Sequence, residues 1–212
     1  VTSEFSELPF DSGLPGVPVS QAMWNLPPLP PGPHRLLIAA PALVDPEFFR
    51  TVVFLIEHDE TGSVGVIINR PSHAPVGQIL PDWQDVMSEP SVVFNGGPVQ
   101  RDGALGLGRL AGSTDAGNGL RAVSGGLALV DLDANPNEVA VGAASLRVYA
   151  GHSGWGVGQL EAEIADGAWF VVAGGLDDVF SERPGTLWRT VLRRQPAPLS
   201  LLSTFPVDVG LN

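Results

Sequence analysis

The chain has 212 residues, a formal net charge of −12 and 44% hydrophobic residues, the balance of one globular domain able to bury a core without staples. It contains no cysteine and no lysine, so all eleven Lys-plus-Arg cations are arginine. These absences exclude a thiol nucleophile, a Cys-ligated zinc or iron–sulfur centre, a P-loop lysine and a Schiff-base lysine.

The longest mostly apolar run is Leu36 to Val44, broken by Pro41, and falls well short of the roughly 20 residues a membrane span requires. No basic segment followed by an apolar core opens the chain, so the expectation is a cytoplasmic protein without a membrane partner. The acidic balance opposes direct nucleic-acid contact, which depends on neutralising phosphates. Arg183, Arg189, Arg193 and Arg194 form the densest basic cluster, read as a cationic helix end favoured by the helix dipole.

Residues 1–33 hold eight prolines, three acids and no cations, and Leu26 to Pro31 reads as polyproline II. This arm is expected to drape over the surface or to serve as a ligand for a protein partner. A single domain over 34–195 follows, then a loose tail over 196–212. Within the domain, Arg35 to Ala40 reads as a strand, and Asp45-Pro46 as a capped helix start. Val52 to Ile56 is continuously apolar, which requires cover on both faces and predicts a central strand. Glu60 to Ser63 is a turn, and Val64 to Asn69 returns as the second strand of a hairpin. A short helix interrupted at Pro81 is expected over 76–87, and a strand over Ser91 to Phe94. The ten glycines of 96–126 predict hairpins and loops. Strands are expected at Leu127 to Leu132, Ser145 to Ala150 and Ala168 to Ala173. A helix from Val157 would face inward through Val157, Leu160 and Ile164. The last helix spans Pro184 to Arg194, with Leu187, Trp188, Val191 and Leu192 inward. Hairpins rather than regular βαβ units argue for a mixed α+β fold.

Four constellations are candidates for chemistry. Gly151-His152-Ser153-Gly154-Trp155 has the strand-to-helix setting of a nucleophile elbow, but Trp155 stands where a small residue is needed, and no histidine follows Ser153. Gly154, Gly156 and Gly158 enter a helix, either as an anion site made of amides or as room for close packing. Asn95-Gly96-Gly97-Pro98 is either a turn or an anion-binding nest. Glu57-His58-Asp59-Glu60 alternates its side chains between two faces, so one strand does not converge them on a metal. No metal or cofactor is expected. A hydrolase or transferase built on Glu57, Asp59 or His152 is the remote alternative.

Arg35-Leu36-Leu37-Ile38-Ala39-Ala40-Pro41, Phe48 through Asp59, and Gly65-Val66-Ile67-Ile68-Asn69-Arg70-Pro71 resemble blocks of the AlgH/YqgE family of bacterial proteins. Asn95-Gly96-Gly97-Pro98-Val99, Gly154 through Ile164, Gly167-Ala168-Trp169 and Leu187-Trp188 follow in the family's order, so the resemblance covers about residues 34–195. It implies an α/β fold in which a bifurcated, largely antiparallel β-sheet forms a pseudo-barrel with flanking helices. It implies no established reaction. Some members are described as transcriptional regulators, which suggests an indirect effect through a partner, since no helix-turn-helix pattern is present. Relatives commonly carry Tyr-Ala at the positions of His152 and Ser153, which argues further against a serine nucleophile.

The expectation is therefore a non-catalytic module that binds a small anionic or planar ligand. Its site would combine Asn95, Gly96 and Gly97 with Gly151, His152, Gly154, Trp155, Gly156, Gly158 and Gln159 at one end of the sheet. The rival expectation is an interaction protein that recruits a partner through residues 1–33 or through an exposed apolar face, with any regulatory effect indirect.

Overall fold

The computed structural model describes residues 29–112 and 117–206. The Pro-rich arm, apart from its last five residues, lies outside them.

Ten strands make one branched sheet: β1 (Arg35–Ala39), β2 (Val52–Asp59), β3 (Gly62–Ile67), β4 (Pro71–Pro75), β5 (Val92–Asn95), β6 (Val99–Leu110), β7 (Leu120–Ala122), β8 (Leu127–Val130), β9 (Ala143–Trp155) and β10 (Trp169–Ala173). Among the described residues four short α-helices accompany them: α1 (Pro136–Gly142), α2 (Gln159–Ala165), α3 (Leu176–Val179) and α4 (Leu187–Arg193). The main path runs β10-β1-β2-β3-β9-β6-β8-β7, and β5 joins β9 from the side, carrying β4 with it. All pairings are antiparallel except β5 with β9. The sheet is bifurcated as expected, but β10 and β7 end it without meeting, so it does not close into a barrel.

Leu36 to Ala39 of β1 and Val52 to Ile56 of β2 are apolar throughout because both faces of these segments are covered. Leu36, Ile38, Val52 and Phe54 pack on one side with Trp188, Val191 and Leu192 of α4. Leu37, Ala39, Val53 and Leu55 pack on the other with Leu160 of α2, Trp155 and Trp169. Trp188 is tied in by an indole N–H that donates to Ala39 O at 2.9 Å.

Several local expectations fail for identifiable reasons. Residues 45–50 form turns and no helix, with Asp45 Oδ1 accepting from Glu47 N at 2.8 Å. β2 runs on to Asp59, and its turn to β3 is only Glu60-Thr61, since Asp59 pairs with Gly62. The expected helix over 76–87 is two 3₁₀ turns, Val76–Gln78 and Pro81–Val86. The glycine-rich stretch after Pro98 is mainly a twelve-residue strand, β6. Two of its glycines serve close packing: a Cβ on Gly106 would lie 2.7 Å from Val130 Cβ, and one on Gly108 3.3 Å from both Leu120 and Leu146 side chains. β9 does not stop at Ala150 but continues through the Gly-His-Ser-Gly-Trp segment. α2 therefore begins at Gln159, and Val157 is 75% exposed instead of inward. The segment after Arg194 is not wholly loose. Leu199–Thr204 is a 3₁₀ helix whose Leu199 and Leu202 enter the core, held by Arg189, which donates to Ser203 O at 2.7 Å and Phe205 O at 3.0 Å. No described helix is long and apolar enough to cross a membrane.

Candidate functional site

The two glycine segments singled out in the sequence do meet, at the fork of the sheet. One edge of β9 carries β5 at Tyr149 and Ala150, then β3 at Ser153 to Trp155. Gly96 and Gly97 lie in the crotch between these partners. A Cβ on Gly96 would come within 2.3 Å of Gly151 O, and one on Gly97, whose φ is +151°, within 2.3 Å of His152 O. Gly151 has φ +70° and stands equally close to Gly97 O and Val99 O. Both backbone polar groups of Gly96 are engaged by protein: its N–H donates to Ala150 O at 2.9 Å, and its carbonyl accepts from Ile67 N at 2.8 Å. These glycines let three chain segments approach closely.

Trp155 is likewise committed to the fold. It is 6% exposed and packs edge-on against Trp169, with ring centroids 5.9 Å apart. Glu163 Oε2 accepts both indole N–H groups, from Trp155 at 2.9 Å and from Trp169 at 2.8 Å. Gln159 Nε2 donates to the other oxygen of Glu163 at 2.9 Å, while its Oε1 accepts from Gly156 N at 3.0 Å. The planar face expected for a ligand is thus a core side chain, and the Gly156 amide is capped from within. Gly158 takes the left-handed conformation that starts α2, and Gly154 is exposed on β9.

The remaining predicted residues divide between two depressions of about 260 Å³ each. Asn95 and Gly97 line one, together with Glu47, Arg70, Arg101 and Ala150. Gly151 and His152 line the other, with Val64, Gln100 and Leu105. Neither is the largest concavity described.

A cleft of about 820 Å³ lies between β6 and the α3–α4 region. Arg109, Arg183, Arg189 and Arg193 line it, with Phe180, Ser145, Asp177 and Glu182. Arg109 is paired with Asp177 at 2.7 Å and lies over the Phe180 ring. Arg183 and Arg193 line the cleft with no protein acceptor for their guanidinium groups among the described residues. The sequence does mark these arginines as its densest basic cluster, read there as a cationic helix end; Arg183 stands just before the helical segment, and Thr186, Thr190 and Arg193 follow at spacings of four and three. Arg194, in contrast, turns away and grips Asp178 through two bonds of 2.7 Å, which raise the pKa of its guanidinium.

Beside the cleft lies a feature with no sequence signal, a buried cation. Arg147 on β9 is 2% exposed. It donates to Val179 O at 2.6 Å, Glu89 O at 2.7 Å and Ser181 O at 3.2 Å, and stacks 4.3 Å from the Phe94 ring. Two of these acceptors are at or just past the C-terminus of α3, where carbonyls lack helical partners.

The two serines nearest the glycine segments are withdrawn from solvent. Ser153 is fully buried and donates to Gly96 O at 3.3 Å. Ser63, His58 and Glu161 stand in series, with Ser63 Oγ 2.8 Å from His58 Nδ1 and His58 Nε2 3.5 Å from Glu161. Ser63 is 4% exposed, however, and lines none of the three cavities above. His58 is thus tied to its cross-strand neighbour near the end of β2. Among the described residues, no three His, Asp or Glu side chains gather as metal ligands would.

The fold and sequence both have counterparts. A UPF0301 protein of Streptomyces coelicolor is 51% identical over 181 residues, spanning 84% of this chain and 94% of that relative. A UPF0301 protein of Mycobacteroides abscessus is 47% identical over 189 residues, spanning 86% and 91%. The crystal structure of protein DIP2367 from Corynebacterium diphtheriae superposes with a TM-score of 0.79 at 35% identity, covering 85% of this chain and 95% of that one. The solution structure of the AlgH protein from Pseudomonas aeruginosa gives 0.61 at 31% identity, covering 82% and 94%. The model of the AlgH-like family matches residues 36–200, from the second residue of β1 into the C-terminal 3₁₀ helix, and the chain belongs to that family.

Proposed function

We propose that the protein is a non-catalytic module that binds a small anionic ligand in the arginine-lined cleft. The observation that carries this reading is a concentration of charge. The chain has a net charge of −12, yet four of its eleven cations line a single cleft. Guanidinium groups suit carboxylate and phosphate oxygens because their planar forks present paired donors. Arg183 and Arg193 are the principal contacts in this reading, and Arg109, already stacked on Phe180, adds a flat flank. Regulation would then act through ligand occupancy, consistent with an acidic surface that disfavours a nucleic-acid partner.

Thermal unfolding against nucleotides, phosphorylated metabolites and organic acids tests the proposal. A ligand at about 100 times its dissociation constant stabilises by roughly 2.7 kcal/mol, on the order of 5–10 °C here. The shift should diminish with added salt and vanish in an Arg183→Ala/Arg193→Ala double variant. A panel without any shift, or a shift that survives the double substitution, defeats the reading.

A further inference from the structure

We propose that the smaller pocket between residues 45–50 and the end of β5 is a second binding site, selective for a carboxylate, and that Glu47 occupies it as an internal stand-in. The pocket shares no lining residue with the arginine cleft. Among the described residues its polar side chains are Arg70, Arg101 and Asn95, and its one acid is Glu47.

The geometry shows how the turn is kept over the pocket. Arg70 Nη2 donates to Phe49 O at 2.7 Å and to Pro46 O at 3.4 Å, which holds the backbone of the turn. Arg70 Nε and Nη1 have no protein acceptor among the described residues. Arg101 forms an ion pair with the Glu47 carboxylate. It comes from the stretch between Val99 and Ala104, where β6 leaves its ladder with β9 and Gln100 adopts a positive φ of 50°. That bulge carries Arg101 out of the sheet and over the pocket.

The resident acid is replaceable. Arg101 and Glu47 side chains are 57% and 47% exposed, and ion pairs this open contribute little to stability. An incoming carboxylate meets the same guanidinium, with Arg70 and the Asn95 amide as further donors. Glu47 meets Arg101 through Nη2 alone, whereas a free planar carboxylate can take both donors of the guanidinium fork. Displacement has a built-in reporter, because the neighbouring Phe48 ring lies 5.3 Å from Trp169 and 6.3 Å from Trp155. Movement of the turn therefore changes the surroundings of two indoles.

The experiment is a nuclear magnetic resonance titration of the isotope-labelled full chain with propionate, which copies the end of a glutamate side chain. The Gly97 and Ala150 amides and the Trp155 and Trp169 indole N–H signals are followed. The expected result is a saturable shift at these signals, tightened about threefold or more in Glu47→Gln, where the internal competitor loses its charge. Arg101→Ala should weaken it by about tenfold or more. Absence of saturation in both the parent and Glu47→Gln overturns the site, and equal affinities of those two overturn the role of Glu47. A stronger response of the same signals to inorganic phosphate overturns the carboxylate assignment. The Arg183→Ala/Arg193→Ala chain should respond to propionate as the parent does, so failure of the cleft reading leaves this one intact; loss of the response there overturns the independence of the two sites.

Discussion

Trp155 and Glu163, eight residues apart in sequence, are joined by a 2.9 Å hydrogen bond from indole to carboxylate across the β9–α2 connection. Trp169 completes the arrangement from β10 with its own 2.8 Å bond to the same oxygen. One acid thus satisfies two large buried rings and fixes α2 against two strands. Glu163→Gln keeps an acceptor but loses the charge that strengthens both bonds, and should destabilise by about 1–2 kcal/mol. Glu163→Leu leaves two indole N–H groups without their acceptor and should cost about 2–4 kcal/mol. Chemical denaturation of the two variants tests the order; equal stabilities would show that the carboxylate matters only as bulk.

Tyr149 is the sole tyrosine of the chain, fully buried beside Phe94. Among the described residues its hydroxyl has no partner in good hydrogen-bonding geometry, although the Arg147 guanidinium lies near enough to act on it. Burial pushes its pKa well above the ordinary tyrosine value, and the Arg147 guanidinium only partly opposes that. A group whose proton is held more tightly in the folded state favours folding below its unfolded pKa and loses that advantage above it. Stability should therefore fall as the pH climbs beyond about 10. Tyrosinate absorbance should rise only with unfolding; a titration near the ordinary value in the folded protein would contradict this. Tyr149→Phe removes this hydroxyl and should leave stability within about 1 kcal/mol of the parent or improve it.

The glycines of the fork and of the α2 entry should respond differently to substitution. Gly97→Ala places a methyl 2.3 Å from His152 O and within 2.5 Å of Ser153 Oγ, in a backbone conformation hostile to side chains. It should cost about 2–4 kcal/mol and disturb the β5–β9 junction. Gly158→Ala meets no atom within 4 Å, so only its left-handed φ of 71° resists, at about 1 kcal/mol. Thermal unfolding of both variants separates steric demand from conformational preference, and equal losses would refute the distinction.

The hairpin of β2 and β3, the inward face of α4 and the branched sheet were legible because each leaves a local trace or a family motif. The apolar run Val52 to Ile56 announces a strand covered twice, and Leu187, Trp188, Val191 and Leu192 announce a helix stripe. β9 was not legible beyond Ala150, because glycine in a strand reads as a turn until a second segment is known to press against it. The crowding of Gly96, Gly97 and Gly151 is a tertiary fact. Asn95 and Gly97 do border a cavity, but the groups that give it a chemistry, Arg70 and Arg101, stand 25 and 6 residues from Asn95 in sequence. Trp155 misled for a related reason. An aromatic residue among glycines suggests an exposed platform, whereas its acceptor, Glu163, lies in a helix that sequence alone does not bring alongside. Arg147 left no trace at all: within Leu146-Arg147-Val148 an arginine reads as the solvent-facing member of an alternating strand, and only the packing of α3 and Phe180 reveals that both faces are covered.

The fork at β9 also bears on cooperativity. This single strand provides ladder partners for β3, β5 and β6, so the β1–β2–β3–β10 half and the β6–β7–β8 half share it as a common wall. Neither half retains a complete edge without it. Amide exchange in the two halves should consequently converge on one opening free energy instead of two, and no cut between β3 and β9 should release a fragment that folds alone.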